Sequence, residues 1–207
     1  MQLFSLDNPI MRFLSKVADL LILNIIFWIC CIPIVTIGAS TTALYSVTLK
    51  MVKNEESYIA RGFFQAFKEN FKISTGLWIL TALAGIVLYV DYYVAPQMVS
   101  PLNQILQVLL TALLILYIFT WLYLFPYVAR FQNNWKNTIK NAFLISIANL
   151  PFTFLLVIFV GLLLFLTYIV NLAIVGPFWM LCGFSTATYA MSFIFRRVFR
   201  KYEPDEE

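Results

Sequence analysis

The sequence contains no histidine and very little charge, and each shortage excludes classes of function. Only 12% of its 207 residues are charged, roughly half the share of a soluble domain, while 62% are hydrophobic. Without histidine, the usual Cys/His metal sites and a histidine general base are excluded. The three cysteines, Cys30, Cys31 and Cys182, show no metal-ligand spacing. We therefore expect no metal, no cofactor and no enzymatic activity.

Recognisable nucleotide and nucleic-acid features are also missing. The chain has neither a P-loop nor a Rossmann glycine pattern. Its basic residues are few, dispersed and flanked by apolar runs, which argues against a nucleic-acid partner. No ionisable side chain falls near the centre of any predicted membrane span, although ion-coupled transporters normally need one.

The fourteen Lys and Arg residues occur in four short clusters separated by long uncharged runs. The clusters are Arg12–Lys16, Lys50–Lys72, Arg130–Lys140 and Arg196–Lys201. Uncharged runs of 30, 18, 38 and 55 residues lie between successive charged positions. A helical span needs about 20 mostly apolar residues, because lipid offers no partner to a charge or a bare peptide group. The pattern predicts an all-α, polytopic transmembrane bundle.

We expect one integral membrane domain over residues 1–207, since no hydrophilic stretch is long enough for a separate soluble domain. The 55-residue run must hold two spans, broken near Gly176–Pro177. The first run is ambiguous, because it fits either one span near 17–37 or a tight hairpin of two spans turning at Pro33. The six-span version places them near residues 13–32, 34–53, 73–92, 105–126, 148–170 and 174–195.

The positive-inside rule weighs six spans against five. Six spans with the N-terminus inside put all fourteen basic residues in the cytoplasm, whereas five spans with the N-terminus outside leave Arg12 and Lys16 on the wrong side. Both versions place the C-terminus in the cytoplasm. An internal similarity favours six: Gly38–Tyr45 resembles Gly183–Tyr189, and each segment follows a proline and leads towards basic residues. We predict a multi-pass protein of the cell membrane.

The two similar segments carry grouped hydroxyls next to small residues inside predicted spans. Glycines at small-xxx-small spacing let two helices approach closely, and grouped hydroxyls can also line a polar cavity. The amide of Asn24, deep in the first span, is expected to make an interhelical hydrogen bond. The candidates for helix packing or a polar cavity are Gly38, Ser40, Thr41, Gly183, Ser185 and Thr186.

Residues 57–72 are amphipathic at helical period and predict a short cytoplasmic helix. Phenylalanines recur every four residues beside a stripe of basic and polar side chains. Such a helix can lie in the headgroup layer or dock a partner protein. The candidate contact residues are Phe63, Phe67, Lys68, Phe71 and Lys72.

Several segments together resemble a known group of proteins. They are Asn24 with Trp28, Cys31–Ala39, Ala43–Tyr45 and Phe63–Lys72. In these segments the chain is similar to the YesL-like family of integral membrane proteins of Gram-positive bacteria, for which no activity is established. Members of that family are often associated with genes for carbohydrate utilisation and sugar ABC transporters. The resemblance therefore implies a role near sugar uptake, and it carries over no catalytic residue.

Two classes of function remain open. The first is an accessory or regulatory membrane subunit that binds other membrane proteins, such as a sugar ABC importer. The second is a small membrane transporter or an ABC-importer permease-like subunit. Ile147–Pro151 resembles the end of the motif by which importer permeases contact their ATPase, but the preceding acidic and glycine positions of that motif are absent.

Overall fold

The computed structural model describes residues 9–55, 58–97, 102–170 and 172–203, and all regular structure in these ranges is helical. The predicted all-α class is confirmed. Short 3₁₀ turns lie at Ile34–Thr36 and Ala95–Gln97, and a π-helical turn lies at Trp179–Gly183. The α-helices are α1 (Pro9–Cys31), α2 (Ile37–Lys53), α3 (Ile59–Val94), α4 (Leu102–Arg130), α5 (Trp135–Ala148), α6 (Leu150–Ile169), α7 (Leu172–Phe178) and α8 (Phe184–Phe199).

Five segments of the described chain are long and apolar enough to cross a bilayer. They are Met11–Cys31, Ile59–Gln97, Asn103–Arg130, Leu150–Ile169 and Val175–Phe199. The chain is thus a multi-pass membrane protein. The predicted span 34–53 corresponds to α2, whose 17 residues extend only about 25 Å against a hydrocarbon core of about 30 Å. By length and composition, the number of spans agrees with the five-span alternative.

The predicted amphipathic helix at 57–72 is not a separate element. Residues 56 and 57 lie outside the described ranges, and the remainder belongs to α3, which continues without a break to Val94. This helix of 36 residues is about 54 Å long. It contains no proline, and its first turns are held by Phe63 and Ala66, which are buried against α1 and α2. The segment and the following span therefore form one rigid rod.

Helices α1 and α2 form an antiparallel hairpin whose open ends lie together. The Lys16 ammonium donates a hydrogen bond of 2.8 Å to Oδ1 of Asn54, the residue that follows α2. Asn54 has φ of 55°, a left-handed conformation that asparagine tolerates better than most residues and that ends the helix. Lys16 and the chain entering α3 consequently lie at the same end of the bundle, as in the hairpin version of the first run, although α2 is too short to count as a further full span beside α1.

The hairpin is much shorter than the α3–α4 pair beside it. A Cβ placed on Gly38, just after the hairpin turn, would lie 2.6 Å from Cβ of Trp78 and 3.1 Å from Cε1 of Phe125. From Trp78, α3 continues for 16 residues to Val94, which is about 24 Å. From Leu102 to Phe125, α4 covers 23 residues, about 34 Å. The hairpin turn therefore lies about halfway along α3.

Two ends of the bundle can be distinguished. The polar end contains the start of α1, the ends of α2, α4 and α8, and the start of α3. The apolar end consists of the later part of α3 and the earlier part of α4. Twelve of the 17 residues of α2 are buried. The hydrophobic core therefore packs around α2, towards the polar end of the bundle. Its largest fully buried side chains include Tyr123, Phe63, Phe195, Phe199, Leu23 and Leu44.

Candidate functional site

The fully buried Asn24 of α1 clamps the π-helical turn that precedes α8. Its amide nitrogen donates to the carbonyl oxygens of Trp179 at 3.1 Å and Met180 at 2.7 Å. Its amide oxygen accepts a bond of 3.0 Å from the backbone N–H of Ser185. A π turn interrupts the ordinary i to i+4 ladder, and Pro177 just before it cannot donate a helical bond. The Asn24 amide thus supplies hydrogen bonds that the interrupted helix lacks. This is the interhelical contact that was expected of Asn24.

Ser185 completes this joint between α1 and α8. Its hydroxyl is buried and donates to the carbonyl of Leu20 at 2.7 Å, one turn before Asn24. The indole N–H of Trp28 donates to the Trp179 carbonyl at 3.3 Å. The rings of Trp28 and Phe184 meet edge to face at 5.4 Å. The joint is a fixed, fully bonded contact between the hairpin and the last span.

The two polar sets predicted from the similar segments occupy different surroundings. Ser40 is fully buried in α2, whereas Thr41 is half-buried and donates to Ile37 of its own helix at 2.8 Å. Ser185 bonds to α1, and Thr186 is exposed. Among the described residues, no hydrogen bond connects one set with the other. The structure distributes these groups between packing contacts rather than around one shared cavity.

Gly38 and Gly183 are both tightly surrounded, but by different neighbours. A Cβ on Gly38 would lie 2.5 Å from the carbonyl oxygen of Ser74, so here the backbones of α2 and α3 approach closely. A Cβ on Gly183 would lie 2.5 Å from Cε3 of Trp179, a side chain of the same segment. Gly38 therefore permits a contact between helices, while Gly183 accommodates the folded-back ring of Trp179.

Interhelical hydroxyl pairs join α2 to α3 and α8, and of their four residues only Thr42 lies in one of the two similar segments. Thr42 of α2 and Ser74 of α3 are 2.9 Å apart, and Thr48 of α2 and Ser192 of α8 are 2.8 Å apart. All four residues are fully buried. A lone Thr or Ser in a hydrophobic segment commonly bonds to its own preceding turn, so only the pairing of helices reveals such contacts.

The predicted contact residues of α3 divide into buried and exposed groups. Phe63 is fully buried in the core shared with α1 and α2, and Phe67 packs against that core. Phe71, Lys68 and Lys72 are exposed. Phe64, which the sequence analysis left out, is also exposed. We call the four exposed residues, Phe64, Lys68, Phe71 and Lys72, the α3 stripe, since Phe64, Lys68 and Lys72 recur every four residues and Phe71 lies three residues after Lys68.

A network of charged and polar groups ties the polar end together. The Glu203 carboxylate accepts a 2.6 Å bond from Nε of Arg130 and lies 4.0 Å from Nζ of Lys53. Arg196 donates to the Val52 carbonyl at 2.9 Å, so α8 also caps the end of α2. The hydrogen bond from Arg130, together with the positive charges of Lys53 and Arg196, lowers the pKa of Glu203 below its ordinary value.

The segment after α8 is held at the same end by a second set of bonds. Asn149, at the α5–α6 junction, donates to the Tyr202 hydroxyl at 2.9 Å and accepts from the Lys201 ammonium at 3.1 Å. The Lys201 ammonium also lies 5.6 Å above the ring of Phe152. The polar end therefore joins α2, α4, α6 and α8 into one rigid surface rich in cations.

Comparison with known proteins gives similarity to uncharacterised proteins only. Residues 20–92 match a family model described as "Protein of unknown function, DUF624". A relative described as "Uncharacterized protein YteU" from Bacillus subtilis (strain 168) is 27% identical over 135 residues, which is 63% of this chain and 59% of the relative. No solved structure matches. The matched family region contains the α1–α2 hairpin from Leu20 and nearly all of α3.

Chemically, the described site offers binding surfaces. Several of its buried polar groups, among them Asn24, Thr42 and Thr48, bond between helices, while its exposed groups include aromatic and cationic side chains near the polar end. Such surfaces bind anionic or aromatic-rich partners by charge pairing and ring contacts.

Proposed function

We propose that this chain is a non-catalytic accessory or regulatory subunit that binds another membrane protein through the α3 stripe. It resides in the cell membrane with its polar end and C-terminus in the cytoplasm, because members of every basic cluster gather at that end. The observation that carries the proposal is the exposure of Phe64 and Phe71 beside Lys68 and Lys72, on a helix held rigidly by its opposite face.

Rigid presentation is what makes this stripe suitable for docking. Phe63 and Ala66, on the opposite face of α3, are buried against α1 and α2, so the helix does not need to fold or reorient on binding. Pre-organisation lowers the entropic cost of association. Exposed aromatic side chains with neighbouring cations are the kind of residue that dominates binding energy at interfaces.

The partner class follows from the resemblance stated for the sequence. The YesL-like family is associated with sugar ABC transporters, and we therefore propose a carbohydrate importer as the protein that this subunit serves. That assignment rests on the resemblance alone, whereas the docking surface rests on the geometry of α3. The two parts can fail separately.

Purification of the full chain from its native host in mild detergent tests the proposal. We expect importer subunits to co-purify with the wild type and to be lost from the double variant Phe64→Ser and Phe71→Ser. The matched control replaces Tyr89 and Tyr93, two exposed aromatics four residues apart at the other end of α3, with serine. The control should retain the partner, since it removes the same kind of side chain from the same helix.

The possible outcomes separate the alternatives. Recovery of the same proteins with wild type, stripe variant and control would refute docking through α3. A partner that depends on the stripe but does not belong to an importer would refute only the carbohydrate assignment. Recovery of an ATPase without other permease subunits would instead favour the permease-like alternative.

A further inference from the structure

A groove of about 1020 Å³ opens at the polar end between the first turns of α6 and the last turns of α8. Its lining combines four cations and one carboxylate with apolar side chains. The cations are Lys53, Arg196, Arg197 and Arg200, and the carboxylate is Glu203. Phe152, Leu155 and Phe193 are among the apolar lining residues.

The charge in this groove is not balanced within the described part of the chain. Glu203 is already engaged by Arg130 at 2.6 Å and faces Lys53 at 4.0 Å. Arg197 and Arg200 are exposed, and no carboxylate among the described residues lies within ion-pair distance of either. Two guanidinium groups therefore remain available, and guanidinium is well suited to two-point binding of phosphate oxygens.

Arg196 and its neighbours hold the backbone of this segment against the core. The Arg196 guanidinium donates to the Val52 carbonyl at 2.9 Å, and Val198 and Phe199 on the same turns are buried in the core. The backbone that carries Arg197 and Arg200 is thereby fixed between α2 and α4. A rigid backbone presents both side chains to the same side of the groove without a prior folding step.

The apolar wall continues towards the lipid-facing surface. Leu155 and Phe193 are more than half exposed, and each lies in a helix that is long and apolar enough to cross the membrane. Leu155 lies only five residues from the start of α6, and Phe193 only three residues before Arg196. The groove thus changes from cationic to apolar where two spans reach their ends, which matches the change from headgroup to acyl chain in a phospholipid.

We propose that this α6–α8 groove is a binding site for an anionic phospholipid. Arg197 and Arg200 bind the phosphate of the headgroup, and Leu155 with Phe193 contact the upper part of the acyl chains. The volume suits part of one lipid molecule, since pockets for small ligands usually measure about 300–1,000 Å³. This site lies on α6 and α8 and does not include the α3 stripe, so it is independent of the proposed docking function.

The test uses the purified full chain in a mild detergent, titrated with a short-chain phosphatidylglycerol and followed by native mass spectrometry. Phosphatidylcholine of the same chain length and inorganic phosphate are the comparison ligands. We expect phosphatidylglycerol to bind clearly more tightly than either. Replacing Arg197 and Arg200 with glutamine should weaken its binding by about tenfold or more, because each basic residue near a membrane surface contributes measurably.

The matched control replaces Lys136 and Lys140 with glutamine. These exposed lysines of α5 carry the same two charges but do not line the groove. The proposal requires the control to bind phosphatidylglycerol like the wild type. Equal weakening in both double variants would overturn it in favour of diffuse attraction to basic residues. Equal binding of phosphatidylcholine would also overturn it. Competition by inorganic phosphate at equal concentration would overturn it in favour of a site for free phosphate.

All substituted side chains are exposed, so both double variants should fold. Thermal unfolding in detergent verifies this point before any titration is interpreted. If Arg197→Gln/Arg200→Gln proves unstable, Leu155→Gln provides a second route, since it alters only the apolar wall. The proposal then predicts a selective loss of long-chain over short-chain phosphatidylglycerol, and an unchanged chain-length preference would contradict it.

Discussion

The polar and apolar halves of this bundle are built from similar residues but bury them differently. Around α2, at the polar end, large side chains such as Phe63, Tyr123 and Phe195 are fully buried, as in a soluble protein core. Towards the apolar end, Leu83, Ile86 and most of their neighbours on α3 are exposed. Lipid can cover the second set, whereas neighbouring helices cover the first. The difference indicates that the helices pack closely around α2 and leave more of their surface to lipid towards the apolar end.

The largest effect is expected from a test of how deep the α1–α2 hairpin lies in the membrane, because a cysteine placed there either reacts with a label or does not. Ile34 at the turn is 72% exposed, yet the turn lies about halfway along α3 and is uncharged. In a cysteine-free background, we expect Ile34→Cys to resist membrane-impermeant maleimide from both sides. Asp91→Cys should react from one side and Glu55→Cys from the other. Labelling of Ile34→Cys from the side that labels Asp91→Cys would instead show two complete spans.

The backbone of this turn is compatible with a lipid environment. Thr36 donates its hydroxyl to the Cys30 carbonyl at 2.6 Å and its N–H to the Pro33 carbonyl at 2.9 Å. The amide of Ile32 bonds to Ile29, and Pro33 has no N–H to satisfy. A turn with its own hydrogen bonds and outward apolar side chains avoids the cost of bare polar groups in hydrocarbon.

Gly38→Ala should cause the largest loss of stability. The new methyl would lie 2.5 Å from the Ser74 carbonyl, so the backbones of α2 and α3 must separate. We expect a loss of about 1–3 kcal/mol or more, measured by thermal or denaturant unfolding in detergent. Gly161→Ala is the control, since no atom of the described residues lies within 4 Å of its added Cβ. Equal stability of the two variants would show that the polar half is not tightly packed at Gly38.

Asn24→Leu should have the next largest effect on stability. It removes one acceptor and two donated bonds from the π-helical turn, leaving the Trp179 and Met180 carbonyls without this partner. An unsatisfied buried polar group costs about 1–3 kcal/mol. Asn70→Leu is the control, because the one bond that Asn70 donates within the described ranges goes to Ala66 of its own helix. In unfolding measurements in detergent, Asn24→Leu should be clearly less stable than this control.

The smallest effect is expected at Glu203, on the wet edge of the polar half. Its pKa is lowered in the folded protein, first by the hydrogen bond from Arg130. A lowered carboxyl pKa stabilises the fold above the ordinary pKa, and this contribution is lost as pH falls through the lowered value. Glu203→Gln should therefore cost about 0.2–1 kcal/mol at neutral pH and nothing in strong acid. Glu69→Gln, at an exposed site bonded to Gln65, is the control.

The sequence predicted the elements better than their mutual placement. The uncharged runs predicted an all-α membrane bundle, which the structure has, and the amide of Asn24 was expected to join two helices. The pairs Thr42–Ser74 and Thr48–Ser192 could not be predicted, because each requires knowing which faces of α2, α3 and α8 meet. The burial of Phe63 was missed for the same reason, since a phenylalanine stripe looks alike whether lipid or another helix covers it.

What the sequence determined by itself was the membrane class, because long uncharged runs admit no other stable environment. It also determined the clustering of basic residues between those runs. Only the tertiary structure decided how deep the α1–α2 hairpin extends, which phenylalanines of α3 remain exposed, and that arginines of α8 face an open groove beside α6. The physical reason is that hydrophobicity acts on each segment locally, whereas depth and exposure depend on the close contacts between segments, such as the approach of Gly38 to Ser74.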